Sequence, residues 1–132
     1  MKKANEKSES IQRGGMEMVV TETMHEIGVP ASLLGYQYIR EAVLLLISNR
    51  NAIKYFSKAI LTEVARKHDT TYSRVERAIR HAIEVAWERG DVDTLHKYFG
   101  STISDLRGKP TNKEFIAMIA DNVTMRQKHG MV

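Results

Sequence analysis

The chain has no cysteine. Disulfides, thiolate metal sites, iron–sulfur clusters and cysteine nucleophiles are excluded with it, and a reducing cytoplasm is the expected setting. Prolines number only two and glycines eight in 132 residues, so few positions force the backbone away from helical geometry. Long apolar runs are missing too. The longest, Ala42 to Ile47 and Phe115 to Ala120, are six residues each, against about 18 for a membrane span. Lys2 and Lys3 stand where a signal peptide carries its charges, but Asn5, Glu6, Ser8, Glu9 and Ser10 follow in place of an apolar core, so secretion is not expected. Gly-rich phosphate loops and nucleophile elbows are lacking. The five histidines, at positions 25, 68, 81, 96 and 129, show no metal-ligand spacing. Neither a metal, a cofactor nor an enzymatic activity is expected.

What the chain does have is a globular composition, 42% hydrophobic and 27% charged, with a formal net charge of +4. Its length suits one domain with a core of its own, and its basic balance suits a polyanion without requiring one. Residues 1 to 15 offer only Met1, Ala4 and Ile11 as apolar groups and end in Gly14-Gly15. Burial there is too small to offset ordering entropy, so residues 1–15 are expected to be a flexible tail or linker and 16–132 the folded domain.

Helical periodicity runs through the rest of the chain, and no segment alternates as a strand. Met16, Val19, Val20, Met24 and Ile27 make a first helix, ended by Gly28 and Pro30. Leu33 to Ile47 is the most apolar stretch and the expected central helix. A turn at Ile53 to Phe56 leads to a helix over Lys58–His68, and Asp69-Thr70-Thr71 separates it from a longer one over Tyr72–Arg89. Val92–Phe99 forms a short helix closed by Gly100, and Ile103 to Pro110 is expected to be a loop. The final helix starts at Thr111, which forms a capping box with Glu114 and presents Phe115, Met118, Ile119 and Val123. The fold class is therefore all-α, a compact six-helix domain.

A short helix, a three-residue break and a longer helix over Lys58–Arg89 is the helix-turn-helix arrangement. At about 100° per residue, Val75, Ala78, Ile79, Ala82, Ile83 and Ala86 share one face of the second helix, while Ser73, Arg77, Arg80 and Glu84 lie opposite. Arg74, Glu76 and His81 flank that polar face. In such proteins the second helix enters the major groove and its first turns meet base edges. The planar fork of arginine donates two hydrogen bonds to guanine O6 and N7, and a glutamate accepts from the cytosine amino group. The turn position often held by glycine is Asp69. Seven basic and five acidic residues between Lys58 and Arg89 leave a second reading open. The arginines would then solvate an amphipathic helix, and the chain would be a helical protein-interaction module, an antagonist or partner of a full-length homologue.

The run Ser73-Arg-Val-Glu-Arg-Ala-Ile-Arg-His-Ala-Ile-Glu-Val-Ala-Trp87 resembles the recognition helix of the stage zero sporulation protein A family of response regulators. His25-Glu-Ile-Gly-Val-Pro30, Gly35-Tyr36, Arg40-Glu-Ala42 and Lys109-Pro-Thr-Asn112 with Glu114-Phe-Ile-Ala-Met118 are similar to its C-terminal effector domain, over roughly Thr21 to Lys128. The resemblance implies a six-helical domain that binds TGTCGAA-like boxes in double-stranded promoter DNA as tandem copies. Ser73, Arg74, Glu76, Arg77 and Arg80 match the helix that contacts bases and phosphates, and Lys58 matches a phosphate-contacting position beside Tyr55 and Phe56, which differ from the family. Residues 90–103 match the surface that meets RNA polymerase, with His96 and Lys97 divergent. The family places a phosphorylatable receiver before this domain, so the chain is expected to be either a piece of a two-domain regulator or a stand-alone effector. Thr111 to Met125 is the candidate contact between tandem copies, unless its apolar stripe is spent on the core. Trp87 is expected to pack in the core rather than stack on a base.

Overall fold

The most apolar segment of the chain becomes the helix around which the others pack. The computed structural model describes residues 2–100 and 108–130, with side-chain surroundings from residue 14 onward. The helices are α1 (Lys2–Ile27), α2 (Leu34–Ser48), α3 (Thr62–Lys67), α4 (Tyr72–Arg89), α5 (Val92–Phe99) and α6 (Asn112–Lys128). No strand occurs among the described residues, as the all-α reading requires. Helix α2 buries Gly35, Tyr36, Tyr38, Ile39, Ala42, Val43, Leu44 and Leu46. A helix apolar on more than one face must be covered on more than one side, and α2 is packed by α1, α4 and α6.

Two boundaries differ from the expectations. Helix α1 begins at Lys2 and not at Met16. Its first turns are rich in Lys, Glu, Gln and Ala, all strong helix formers, and Gly14-Gly15 weakens a helix by about 1 kcal/mol per glycine without forbidding it. The second difference lies between α2 and α3. A 3₁₀ turn covers Arg50–Tyr55 and a wide π turn covers Phe56–Leu61, so the α-helical part of the expected Lys58–His68 helix shrinks to Thr62–Lys67. Ala52, Phe56, Ile60 and Val64, all buried, recur every four residues, more than the 3.6 of an α-helix. The wide turn, with the Thr62 amide donating to the Ser57 carbonyl, keeps them facing inward.

Glycine and proline end α1 as expected. Gly28 has φ +102°, its amide donates to the His25 carbonyl at 3.1 Å, and the Val29 amide donates to the Met24 carbonyl at 3.0 Å, the left-handed helix stop that glycine makes at least cost. At the other end of the chain the capping box forms. Thr111 Oγ1 accepts from the Glu114 amide at 3.1 Å and Glu114 Oε1 accepts from the Thr111 amide at 2.9 Å. Phe115, Ile119 and Val123 are wholly buried, with Met118 packed against them. Of the two outcomes left open for the α6 stripe, the structure shows the core one: Phe115, Ile119 and Val123 are spent on the core.

The aromatic residues close the core between α4, α5 and α6. Phe99 stacks on Phe115 with centroids 5.3 Å apart, and Trp87 meets Phe99 edge-on at 5.2 Å, so Trp87 is a packing residue. Beside them a polar tie joins three helices. Tyr98 Oη donates to Glu26 Oε2 at 2.7 Å and accepts from Arg126 at 2.7 Å. The Tyr98 hydrogen bond holds the Glu26 carboxyl below its usual range, with Lys97 assisting against desolvation, while burial first and Glu26 second push the Tyr98 phenol up. The expected loop from Ile103 to Pro110 lies outside the described residues as far as 107; Gly108 to Pro110 is non-helical and ends in a buried Pro110.

Candidate nucleic-acid interface

Helix α3 stops on a backbone signal the sequence places at Asp69. The Asp69 amide donates to the Arg66 carbonyl at 3.3 Å and the Thr70 amide to the Ala65 carbonyl at 2.9 Å, the paired bonds of a left-handed helix stop. Asp69 sits at φ +50°, the one non-glycine residue with positive φ among those described. Aspartate reaches that region more readily than most residues but less freely than glycine. Thr71 then caps α4, its side chain accepting from the Arg74 amide at 3.2 Å. The break between the helices is thereby fixed at both ends, and the helix-turn-helix expected from the pattern is present.

Helix α4 buries Val75, Ile79, Ala82, Ile83 and Ala86, five of the six residues assigned to its apolar face, with Ala78 partly buried against the core. Ser73, Arg74, Arg77, Arg80 and His81 are exposed on the other side and Glu76 is half-buried at its edge. The structure therefore brings five of the six candidate residues together on one helix. Lys58 stands apart, exposed on the π turn.

Two neighbours grip this helix, and a third contact braces the support. A Cβ on Gly35 of α2 would fall 2.1 Å from the Ala78 carbonyl oxygen, so α2 and α4 cross at the closest approach a glycine allows. Asn112, in the first turn of α6, donates from Nδ2 to the Glu76 carbonyl at 3.1 Å. Lys67 Nζ, at the end of α3, meets Glu41 Oε1 of α2 at 2.7 Å, which ties the first helix of the pair to the same support. The sequence names Asn112 only within the run Lys109-Pro-Thr-Asn112 and gives it no role. The capping box locates the start of α6, but nothing local indicates a partner 36 residues earlier.

The electrostatics of the exposed face are uneven. Arg80 pairs with Glu76, not with Glu84 four residues on, and Glu76 raises its pKa further. Arg74 and Arg77 have no ion-pair partner among the described residues, and they line a shallow open groove with Leu34, Ala78, Arg80, His81 and Glu84. An exposed Arg–Glu pair one turn apart is screened by solvent and contributes little, so Arg80 exchanges partners at little cost. Among the described residues no group of three or more His, Asp or Glu could hold a metal.

The family model for the sporulation initiation factor Spo0A C terminal matches residues 20–123. The chain belongs to that family. The match opens at Val20 and closes at Val123, both wholly buried, so it coincides with the packed core and contains the entire helix-turn-helix. The chain is accordingly a helical DNA-binding effector domain of sporulation transcription regulation, and its family is not one of enzymes. Within residues 90–103, Leu95, Tyr98 and Phe99 are buried, which leaves Asp91, Val92, Asp93, His96 and Lys97 as the exposed groups, while 101–103 lie outside the described residues. No helix among the described residues is long and apolar enough to cross a membrane.

Proposed function

We propose that this domain regulates transcription by laying α4 in the major groove of TGTCGAA-like boxes. The observation that carries the reading is the division of α4 into a buried stripe and an opposite face on which Arg74 and Arg77 are exposed and unpaired among the described residues. Each guanidinium presents the fork that fits guanine O6 and N7. Glu76 accepts from a cytosine amino group once Arg80 turns toward the DNA, and Ser73, at the start of the helix, contacts phosphate. Lys58 supplies a further phosphate contact from the preceding turn.

Tandem copies on adjacent boxes would meet through surfaces other than the α6 stripe, and the exposed residues of 90–103 would meet RNA polymerase in the cytoplasm. Binding is expected to need no phosphate donor, because Ser73, Arg74, Arg77 and Arg80 on α4 are exposed. The Arg80–Glu76 pair favours a second reading, in which the face is a solvated surface of an interaction module. Mobility-shift titrations on box and scrambled duplexes at several salt concentrations separate the two. Specific binding keeps a large affinity ratio between the duplexes as salt rises, whereas equal affinity at every salt concentration would refute base reading.

A further inference from the structure

The side of α4 that carries Tyr72, Glu76 and Arg80 opens onto a groove of about 460 Å³. Phe56, Leu61, Ile83 and Pro110 give it apolar walls, and Ser57, Lys109 and Lys113 stand at it. The start of α6 is held there by three devices already described: buried Pro110, the Thr111–Glu114 capping box and the bond from Asn112 to the Glu76 carbonyl. That carbonyl belongs to a residue of the candidate reading face, so the first turn of α6 is tied to the reading helix itself. Lys109 and Lys113 are exposed, and neither has an ion-pair partner among the described residues.

A helix with its side chains is about 10–12 Å across and fills a major groove about 12 Å wide. Whatever packs alongside such a helix and faces the same way must overlie a ridge of phosphates. Around this groove Arg80, Lys109 and Lys113 oppose the carboxylates of Glu76 and Glu84. The balance is positive, and Glu76 is already engaged by Arg80.

We propose that Lys109 and Lys113 form a second DNA contact, gripping the phosphodiester backbone beside α4, with Asn112 setting their distance from the reading helix. The proposal rests on α4 being the helix in the groove. It adds a sequence-independent grip supplied by the start of α6 and the residues just before it.

The test is the salt dependence of binding by the full chain carrying Lys109→Gln and Lys113→Gln together, measured on box and scrambled duplexes beside the unmodified chain and a Lys97→Gln control on α5. Each phosphate neutralised contributes about 0.9 to the slope of log affinity against log salt. The double variant should therefore flatten the slope by between about 1 and 2, cutting the loss of affinity between 50 and 200 mM salt by up to about tenfold. It should weaken binding to both duplexes by the same factor. An unchanged slope would overturn the proposal, as would a change in Lys97→Gln at least half as large as the double variant's, the share of its single charge, which would mean that net charge alone is felt. Loss of discrimination with scrambled-duplex affinity intact would also overturn it. Failure of the α4 reading is a separate result, visible in the unmodified chain as an absence of discrimination between the duplexes.

Discussion

Replacing Gly35 with alanine tests whether the closeness of α2 and α4 is what positions the reading helix. The added Cβ would lie 2.1 Å from the Ala78 carbonyl oxygen, 2.7 Å from its carbon and 2.9 Å from the Ala82 Cβ, where ordinary contact begins at 3.4 Å. The shortfall against the oxygen is 3.4 − 2.1 = 1.3 Å. None of these atoms can rotate away, because two are backbone and the third is a Cβ. The helices must therefore separate by about 1 Å, which loosens contacts between α2 and the buried face of α4. Overpacking of this kind costs about 1–3 kcal/mol. Alanine recovers up to about 1 kcal/mol of helix propensity at an interior site and less here, because Gly35 is the second residue of α2. The expected net loss is about 1–2 kcal/mol, read as a lower urea midpoint with unchanged m-value and a melting temperature lower by about 4 °C per kcal/mol. Discrimination between box and scrambled duplexes should fall as well, because Ala78 lies between Arg77 and Ile79 on the helix that must be held. A midpoint equal to or above that of the unmodified chain would refute the argument that α4 is seated by this contact.

The remaining perturbations address the turn, the polar tie and the N-terminus. Asp69→Val should lower stability by about 1–2 kcal/mol and Asp69→Gly should not, since φ +50° penalises a β-branched side chain and suits glycine; equal denaturation midpoints for the two variants would contradict this. Tyr98→Phe should lose about 1 kcal/mol by chemical denaturation, by removing the hydrogen bond that holds Glu26 low. Because the native carboxyl is depressed, its stabilisation is present above the unfolded value of 4.5 and is lost as pH falls through and below it; the variant should show a shallower loss across that window, and an identical acid profile would count against the tie. Deleting residues 1–15 should leave the melting temperature nearly unchanged. Those residues supply three apolar groups, and the first wholly buried side chain described is Val20. A clear drop would show that the N-terminal turns of α1 contribute to the core.

Periodicity made most of this fold legible, and its exceptions have physical causes. The stripe from Val75 to Ala86 sits at 3.6-residue spacing in one uninterrupted helix, so both faces of α4 could be assigned from the sequence. Ala52, Phe56, Ile60 and Val64 recur every four residues, a spacing that a pattern of 3.6 blurs, and the 3₁₀ and π turns there were missed. The N-terminal extension of α1 was missed for another reason: argument from burial gives no weight to helix propensity in a segment with few apolar groups. The stripe on α6 could be found from sequence but not its destination, since an apolar face looks alike whether a core or a partner covers it. Of the site, the residues on α4 were readable because a helix brings local neighbours together. The grips on that helix, Gly35 from α2 and Asn112 from α6, join residues far apart in the chain, and only the tertiary packing reveals them.

The claim that α4 reads bases is tested most directly by the affinity ratio of Arg77→Ala between a box duplex and duplexes with single base pairs changed, at fixed salt. Arg77 is exposed, has no ion-pair partner among the described residues and faces away from the buried stripe, so the variant should fold normally. If Arg77 makes a bidentate contact, the variant should bind the box about 1–3 kcal/mol more weakly and lose discrimination at one base pair, with scrambled-duplex affinity nearly unchanged. An equal loss of affinity on every duplex, with discrimination at all positions intact, would contradict base reading by this helix.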